Sequence, residues 1–309
     1  MTMKRILLLL ISFFISFSIQ AQNVSPDEKV TYRDLDSLQL KLHIFKPEKM
    51  ASSKGAVVLI HGGGWNNGSP SAFYSQARHL ADRGLVVFCP EYRVRKRNNT
   101  TIFEAVEDVQ IAMRYVRKHA KKYGANPNKI VVGGGSAGGQ LALSLAFIEP
   151  LTDGIKAKDY KPNLLILFNP VMGMSKEGYA HRLVAKELEE KGRTWQSFSP
   201  RQNIHKSFPD MLVMLGDRDK VIPLPLAKDV QSKCEALGVK CEMKVYEGAE
   251  HSFFNEGYWR KKGYEKGTIN RWYYETMQEM DDFLVTEGYL EGSFEFSIPE
   301  KAIYPVRLK

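Results

Sequence analysis

Cysteine is scarce in this chain: Cys89, Cys234 and Cys241 are the only three in 309 residues. That is too few for a disulfide scaffold. Cys234 and Cys241 stand close in sequence, in a predicted helix and the strand after it. In an exported protein they are able to pair, which leaves Cys89 over. No low-complexity tract and no internal repeat is present, so repeat architectures are excluded. No apolar run reaches the roughly 20 residues that span a bilayer. No histidine, cysteine and carboxylate cluster has metal-ligand spacing, so neither a metal nor an organic cofactor is expected. No nucleic-acid motif accompanies the net charge of +9. The densest basic run is Arg93-Val94-Arg95-Lys96-Arg97. It reads as a solvated loop, with contact to an acidic polymer or anionic surface as the alternative.

What is present begins with a leader. Lys4 and Arg5 precede an apolar stretch at 6–19 broken only by serines, and Ser18-Ile19-Gln20-Ala21 offers a small residue before a cut. Residues 1–21 are therefore expected to be a secretory signal peptide. The mature chain starts near Gln22, periplasmic or secreted, without a membrane anchor. No cysteine follows the run, so no lipid attachment is expected there.

The body has 43% hydrophobic residues over the whole chain, enough for one large domain with a real core. Residues 28–45 read as a β-hairpin. Leu38, Leu40, Leu42 and Ile44 alternate with Gln39, Lys41 and His43, the period of a half-buried strand. Residues 56–60 and 85–89 are continuous apolar runs, as in strands covered on both faces. A helix is predicted over 71–83. Thr101 and Glu104 form a capping box for a long helix whose apolar face runs Ile102, Val106, Val109, Met113, Val116 and Ala120. Strands follow at 130–132, 164–168, 211–215 and 242–246, with helices at 137–148, 225–237 and 272–288. This alternation predicts an α/β fold with a mostly parallel, doubly wound sheet after a leading antiparallel hairpin. Residues 22–309 form one catalytic domain in this reading. Residues 171–207, with a charged helix at 181–191, are a small cap-like insertion over the carboxyl ends of the strands, where open α/β sheets bind ligands.

Three motifs sit at those strand ends. Gly134-Gly135-Ser136-Ala137-Gly138 fits G-x-S-x-G between a strand and a helix, a nucleophile elbow. A Cβ at Gly134 or Gly138 would collide with the neighbouring elements. His61-Gly62-Gly63-Gly64-Trp65 follows a buried strand, and its glycines free backbone amides to meet a substrate oxygen. The amides of Gly63, Gly64 and Ala137 are the candidate oxyanion donors. No Lys-Ser/Thr pair makes this a phosphate loop. Gly216 to Pro223 follows another strand, with Asp219 favoured as the acid and Asp217 as a turn cap. His251 lies in the loop after the last strand. The order Ser136, Asp219, His251 gives a nucleophile, an acid and a base. The remaining histidines, among them His61, read as structural or exposed.

At these residues the chain resembles the α/β-hydrolase superfamily. More narrowly it is similar to secreted bacterial carboxylesterases of the hormone-sensitive-lipase-like and feruloyl/acetyl esterase groups. The resemblance implies a Ser136–Asp219–His251 triad acting on short acyl esters, often on plant polysaccharides. Its partner is then a small-molecule or polysaccharide ester. The segment before His61 is too short for the long N-terminal cap of hormone-sensitive-lipase-like enzymes, and Glu91-Tyr92-Arg93-Val94-Arg95 departs from their pattern. A more open site is therefore expected. Trp65, Trp195, Phe253, Phe254, Tyr258 and Trp259 either stack on sugars or pack the insertion, with Trp65 favoured as a substrate contact. A prolyl-oligopeptidase-type peptidase would need a propeller that the chain has no room for. A catalytically dead binding module would normally lose the serine or the histidine, and both are kept.

Overall fold

A computed structural model describes residues 24–176, 178–258 and 263–306; the leader and Trp259 lie outside them. Alternating side chains make β1 (Glu28–Leu35) and β2 (Leu38–Phe45) an antiparallel hairpin closed at Asp36, which has φ 46°. The remaining strands are β3 (Ala56–Ile60), β4 (Val86–Pro90), β5 (Ile130–Gly135), β6 (Leu164–Phe168), β7 (Met211–Gly216) and β8 (Cys241–Tyr246). They form one eight-stranded sheet in the order β1-β2-β4-β3-β5-β6-β7-β8. β2 meets β4 antiparallel, and every pairing from β4 to β8 is parallel. β3 to β7 are buried throughout, whereas β8 is the far edge and turns Glu242 and Lys244 outward.

The two-residue period sorts the core into two layers. Val58 and Ile60 join Val106, Val109 and Leu141 on one face; Val57 and Leu59 join Ala77, Leu80 and Met280 on the other. The first face carries α2 (Ile102–His119) and α3 (Ala137–Phe147), and the second carries α1 (Tyr74–Asp82) and α6 (Arg271–Thr286), with α4 and α5 being His181–Glu190 and Leu224–Ala236. The predicted capping box is formed: Thr101 accepts from the Phe103 amide, and Glu104 accepts from the Thr101 amide at 2.8 Å. The helix expected over 71–83 starts instead as a 3-10 turn at Pro70–Phe73, because Ser69 caps a proline at the first position.

The fold decides two points that the sequence leaves open. All three cysteines are buried free thiols, and Cys234 and Cys241 meet by a hydrogen bond rather than a disulfide. The basic run is solvated only in part. Its end is a short helix, Arg95–Asn98, with Lys96 and Arg97 exposed, whereas Arg93 and Arg95 are tied inward. Arg93 pairs with Glu107 and the fully buried Asp108, Arg95 with Glu187 of α4, and Arg97 donates to the Gly68 carbonyl at 2.7 Å. The insertion packs on α2 through Val184 and Leu188. Among the described residues no helix is long and apolar enough to cross a membrane.

Candidate active site

β5 ends at Gly135 and α3 begins at Ala137, so Ser136 alone turns the chain. It does so at φ 55° and ψ −120°, a conformation that costs a residue with a Cβ about 1–3 kcal/mol. The surroundings hold it there. The Ser136 amide donates to the Phe168 carbonyl at 2.9 Å, and the Ser136 carbonyl accepts from Val171 at 3.1 Å and Gln140 at 3.2 Å. α3 also lies very close to the ends of its neighbours. A Cβ on Gly138 would sit 2.1 Å from the Ile60 carbonyl oxygen, and one on Gly134 would sit 2.4 Å from that of Gly138.

The histidine loop brings His251 Nε2 to 2.9 Å from Ser136 Oγ, and His251 Nδ1 to 2.7 Å from Asp219 Oδ2. The Asp219 side chain is fully buried, and its Oδ1 accepts the amides of Val221 at 2.8 Å and Ile222 at 2.9 Å. A carboxylate only accepts, so Nδ1 carries the imidazole proton and Nε2 is left to accept from the serine hydroxyl. Asp217 is exposed and accepts the Gly248 amide at 2.7 Å. It ties a turn, which separates the two competing aspartates.

Asn169 escaped the motif reading. It follows β6, is fully buried and has φ 37°. Its side-chain oxygen accepts the Ser252 amide at 2.7 Å, and its side-chain NH₂ donates to the Phe168 carbonyl at 2.7 Å. That carbonyl also receives the Ser136 amide, so one asparagine links the serine turn to the histidine loop. An asparagine between a strand and Pro170 is a common turn signal, and nothing local distinguishes this one.

The glycine loop turns at Gly63 (φ 124°) and Gly64 (φ 62°), conformations that favour glycine. The Gly63 carbonyl accepts the amides of Asn66 and Asn67, both at 3.1 Å. His61 shapes the loop from beneath. Its ring stacks on Tyr92 at 4.2 Å, and its Nδ1 lies 2.7 Å from the Gly62 carbonyl, as a donor to it. Burial lowers its pKa to about 4, which leaves the ring neutral. Gly63, Gly64, Ser136 and His251 share a cavity of about 340 Å³. Ala137 is buried and does not line it; what it offers is the first amide of α3, which has no carbonyl partner within the helix.

Trp65 is not where the sequence reading put it. It is 3% exposed and does not line the cavity, and its indole donates to Gln140 at 3.2 Å. A positive φ of 55° turns the chain inward just after the glycines. Tyr179 of the insertion lines the cavity instead, with its hydroxyl 2.8 Å from where a Gly64 Cβ would stand. The apolar wall is Phe73 and Phe254, stacked at 5.6 Å. A Cβ on Gly135 would lie 2.5 Å from the Phe254 ring. Phe253 and Tyr258 are core residues, and Trp195 packs edge-on against His181 at 5.3 Å. Among the described residues no three His, Cys, Asp or Glu side chains gather as a metal site would need.

The model of the BD-FAE family matches residues 42–234, more than half of the chain and inclusive of the glycine loop, Ser136 and Asp219. The chain belongs to the BD-FAE family. A model of the dienelactone hydrolase family also matches residues 196–284, which hold Asp219 and His251. This BD-FAE chain is 26% identical over 248 residues to an acetylxylan esterase of Xylanibacter ruminicola, covering 77% of itself and 48% of that protein. It spans about half the length of the curated relatives it matches. Among solved structures it is similar to esterase Est2 of the Planctomycetes species Thermogutta terrifontis with propionate bound. Identity there is 35%, the TM-score is 0.75, and 86% of this chain and 96% of that one are covered. The same esterase phosphorylated by paraoxon matches with 34% identity, a TM-score of 0.74 and the same coverage. The fold of the BD-FAE chain is that of the α/β-hydrolase esterases.

Proposed function

We propose that this BD-FAE chain is a serine carboxylesterase. The observation that carries the reading is the continuous hydrogen-bonded line from Ser136 through His251 to buried Asp219. Ser136 Oγ attacks the ester carbonyl while His251 Nε2 takes its proton. Asp219 keeps the imidazole in the useful tautomer and stabilises the cation that forms. The negative oxygen of the tetrahedral intermediate is met by the amides of Gly63, Gly64 and Ala137, each worth about 3–4 kcal/mol of transition-state stabilisation. His251 then protonates the leaving alcohol. In the second half, water loses a proton to His251, attacks the acyl-enzyme and frees the acid, restoring Ser136.

The substrate is a short acyl ester, acetyl or feruloyl, carried on carbohydrate. The acetylxylan esterase relative and the propionate-bound neighbour support this class. The stacked Phe73 and Phe254 wall favours the smaller of the two acyl groups. Residues 1–21 serve as an export signal, which N-terminal sequencing of the mature protein from the producing cell would test: a start near Gln22 is expected, and a retained leader rejects it.

The enzymatic test is hydrolysis of nitrophenyl acetate with Ser136→Ala as control, paired with labelling by a fluorophosphonate probe. Loss of both turnover and label in the variant is expected. Turnover that survives the substitution overturns the reading, and an unlabelled wild-type Ser136 points to an inactive binding module.

A further inference from the structure

Ser136, Asp219 and His251 leave from three different strand ends, β5, β7 and β8. One residue outside that line is tied to the backbone on all three sides. Asn169 follows β6, the strand between β5 and β7. Its backbone amide donates to the Met214 carbonyl of β7 at 2.7 Å. Its side-chain NH₂ donates to the Phe168 carbonyl at 2.7 Å, and the same carbonyl accepts the Ser136 amide at 2.9 Å. Its side-chain oxygen accepts the Ser252 amide at 2.7 Å. A backbone N–H only donates, so the Ser252 contact settles which end of the side chain is oxygen and turns the NH₂ to Phe168. Asn169 is fully buried, and both ends of its side chain are engaged.

The bond to Ser252 bears most directly on the chemistry. That N–H belongs to the peptide unit that leaves His251, so holding the unit fixes the backbone that carries the imidazole. Ser252 has φ 69°, a left-handed conformation that a serine enters at a cost. With its amide unpaired, the turn would gain by relaxing to negative φ and would swing the same peptide plane. Other parts of the loop are held from elsewhere. The Arg218 amide donates to the Ala249 carbonyl at 3.1 Å, and the side chain of Asn270 donates to the carbonyls of Phe253 at 2.6 Å and Asn255 at 2.8 Å. Neither of these reaches the Phe168 carbonyl that also holds the serine turn. Asn169 does.

We propose that Asn169 is a positioning residue for His251. It keeps the Ser252 peptide unit in its left-handed turn and ties that turn to the acceptor of the Ser136 amide, which sets the 2.9 Å approach of Nε2 to Oγ. The task given to this geometry rests on the esterase reading above; the hydrogen bonds do not.

The test compares the full chain with Asn169→Ala and with Asn169→Ala combined with Ser252→Gly. Turnover of nitrophenyl acetate is divided by the number of sites that a fluorophosphonate labels to completion, so that only folded protein with a reactive serine is counted. A buried amide left unpaired shifts an equilibrium by about 10- to 100-fold, and kcat per labelled site should fall by that factor in Asn169→Ala. KM should stay within about twofold. Glycine enters the left-handed turn without penalty, so Ser252→Gly should restore kcat about fivefold in the double variant. A residue needed only for folding would lower the melting temperature, leave kcat per labelled site alone and gain nothing from a change at 252. Hydrogen exchange at the Ser252 amide should quicken about tenfold or more beyond any change in global stability. Asn169→Ser, whose hydroxyl stops short of Ser252, should change kcat and exchange in the same direction and serves if the alanine variant is insoluble. A kcat per labelled site within about twofold of the wild type, a double variant no faster than the single one, or unchanged exchange overturns the proposal. Exchange needs no turnover. A wild type that fails to cleave nitrophenyl acetate therefore removes the esterase reading, and the hold on Ser252 is still decided by exchange.

Discussion

Two parts of the molecule face each other across Ser136, and they are held by different forces. On one side β3, β5 and α3 approach backbone to backbone, with only glycine hydrogens between Gly138 and the Ile60 carbonyl. On the other side the insertion is attached by side chains. Arg95 pairs with Glu187, Lys191 with Glu104 at 2.8 Å, and Val184 and Leu188 supply a small apolar face. Backbone contacts of that kind leave no atom free to move aside. Long charged side chains adjust at small cost, since such pairs contribute about 0–1 kcal/mol. The cavity thus has a rigid wall that aligns the reacting groups and an adjustable wall that meets the rest of the substrate.

The largest effects belong to the rigid wall. Gly138→Ala places a methyl 2.1 Å from a carbonyl oxygen that no rotamer change can relieve. The expected cost exceeds about 4 kcal/mol, seen as insoluble protein or a lost cooperative melt. A soluble variant with wild-type thermal stability would mean that α3 is free to shift, and the contrast between the walls would fail. Next is Asp219→Asn. The amide cannot reproduce a carboxylate that accepts from His251, Val221 and Ile222 at once. A drop of about 10⁴ in kcat is expected, with an unchanged far-UV spectrum. A loss below tenfold would show that this carboxylate does not set the imidazole.

How much of this was legible in the sequence follows the same division. Strand ends, the glycine loop and the order Ser136, Asp219, His251 are visible because local sterics and chain topology dictate them. The choice between Asp217 and Asp219 was legible too: one abuts the strand, and the other lies on the loop where a carboxylate can turn inward. Trp65 was misread because a tryptophan beside a glycine loop looks the same whether the chain turns outward or, as at φ 55°, inward onto Gln140. The inward half of the basic run was missed because the partners of Arg93 and Arg95 are Asp108 and Glu187, which sequence spacing does not reveal. Phe254 is the same kind of case. Its role depends on the room at Gly135, which only the folded chain brings to it.

His61 offers a pH test of the rigid side. Its pKa falls from 6.5 to about 4 on folding, because burial disfavours the cation. Above pH 6.5 the ring is neutral in both states and contributes nothing. As pH falls below 6.5 the unfolded chain takes up a proton that the fold refuses, so stability decreases and levels off near pH 4. The full effect is on the order of 3 kcal/mol. Urea titrations at pH 7.5 and 4.5 should show a steeper loss for the wild type than for His61→Asn. Parallel losses would place the ring in water.

Phe254 sits between the extremes, a side chain that fills a gap in the rigid wall. Phe254→Ala should deepen the apolar end by the room of about two methylenes. At about 0.8 kcal/mol each, the ratio of kcat/KM for hexanoate over acetate should rise about tenfold. Gly135→Ala alone should be damaging, because its Cβ would meet the Phe254 ring at 2.5 Å, and it should be tolerated once that ring is gone. An acyl-chain profile that stays flat in Phe254→Ala would move the acyl group elsewhere in the cavity.

The smallest change tests the adjustable wall. Glu187 is almost buried and Arg95 about one-third exposed, so their pair ties α4 to the segment after β4, where the Arg95 amide donates to the Trp65 carbonyl at the end of the glycine loop. Glu187→Gln keeps the shape and removes the charge. A stability loss of no more than about 1 kcal/mol is expected, reduced further in molar salt. Turnover of nitrophenyl acetate should not change, because Ser136, His251 and Asp219 take no contact from Glu187. KM for a polymeric ester should shift about two- to threefold, in step with a tenths-of-a-kcal/mol change in how Tyr179 is held. If kcat on the small ester fell as far as in Asp219→Asn, the insertion would be part of the alignment itself, and one wall rather than two would surround the nucleophile.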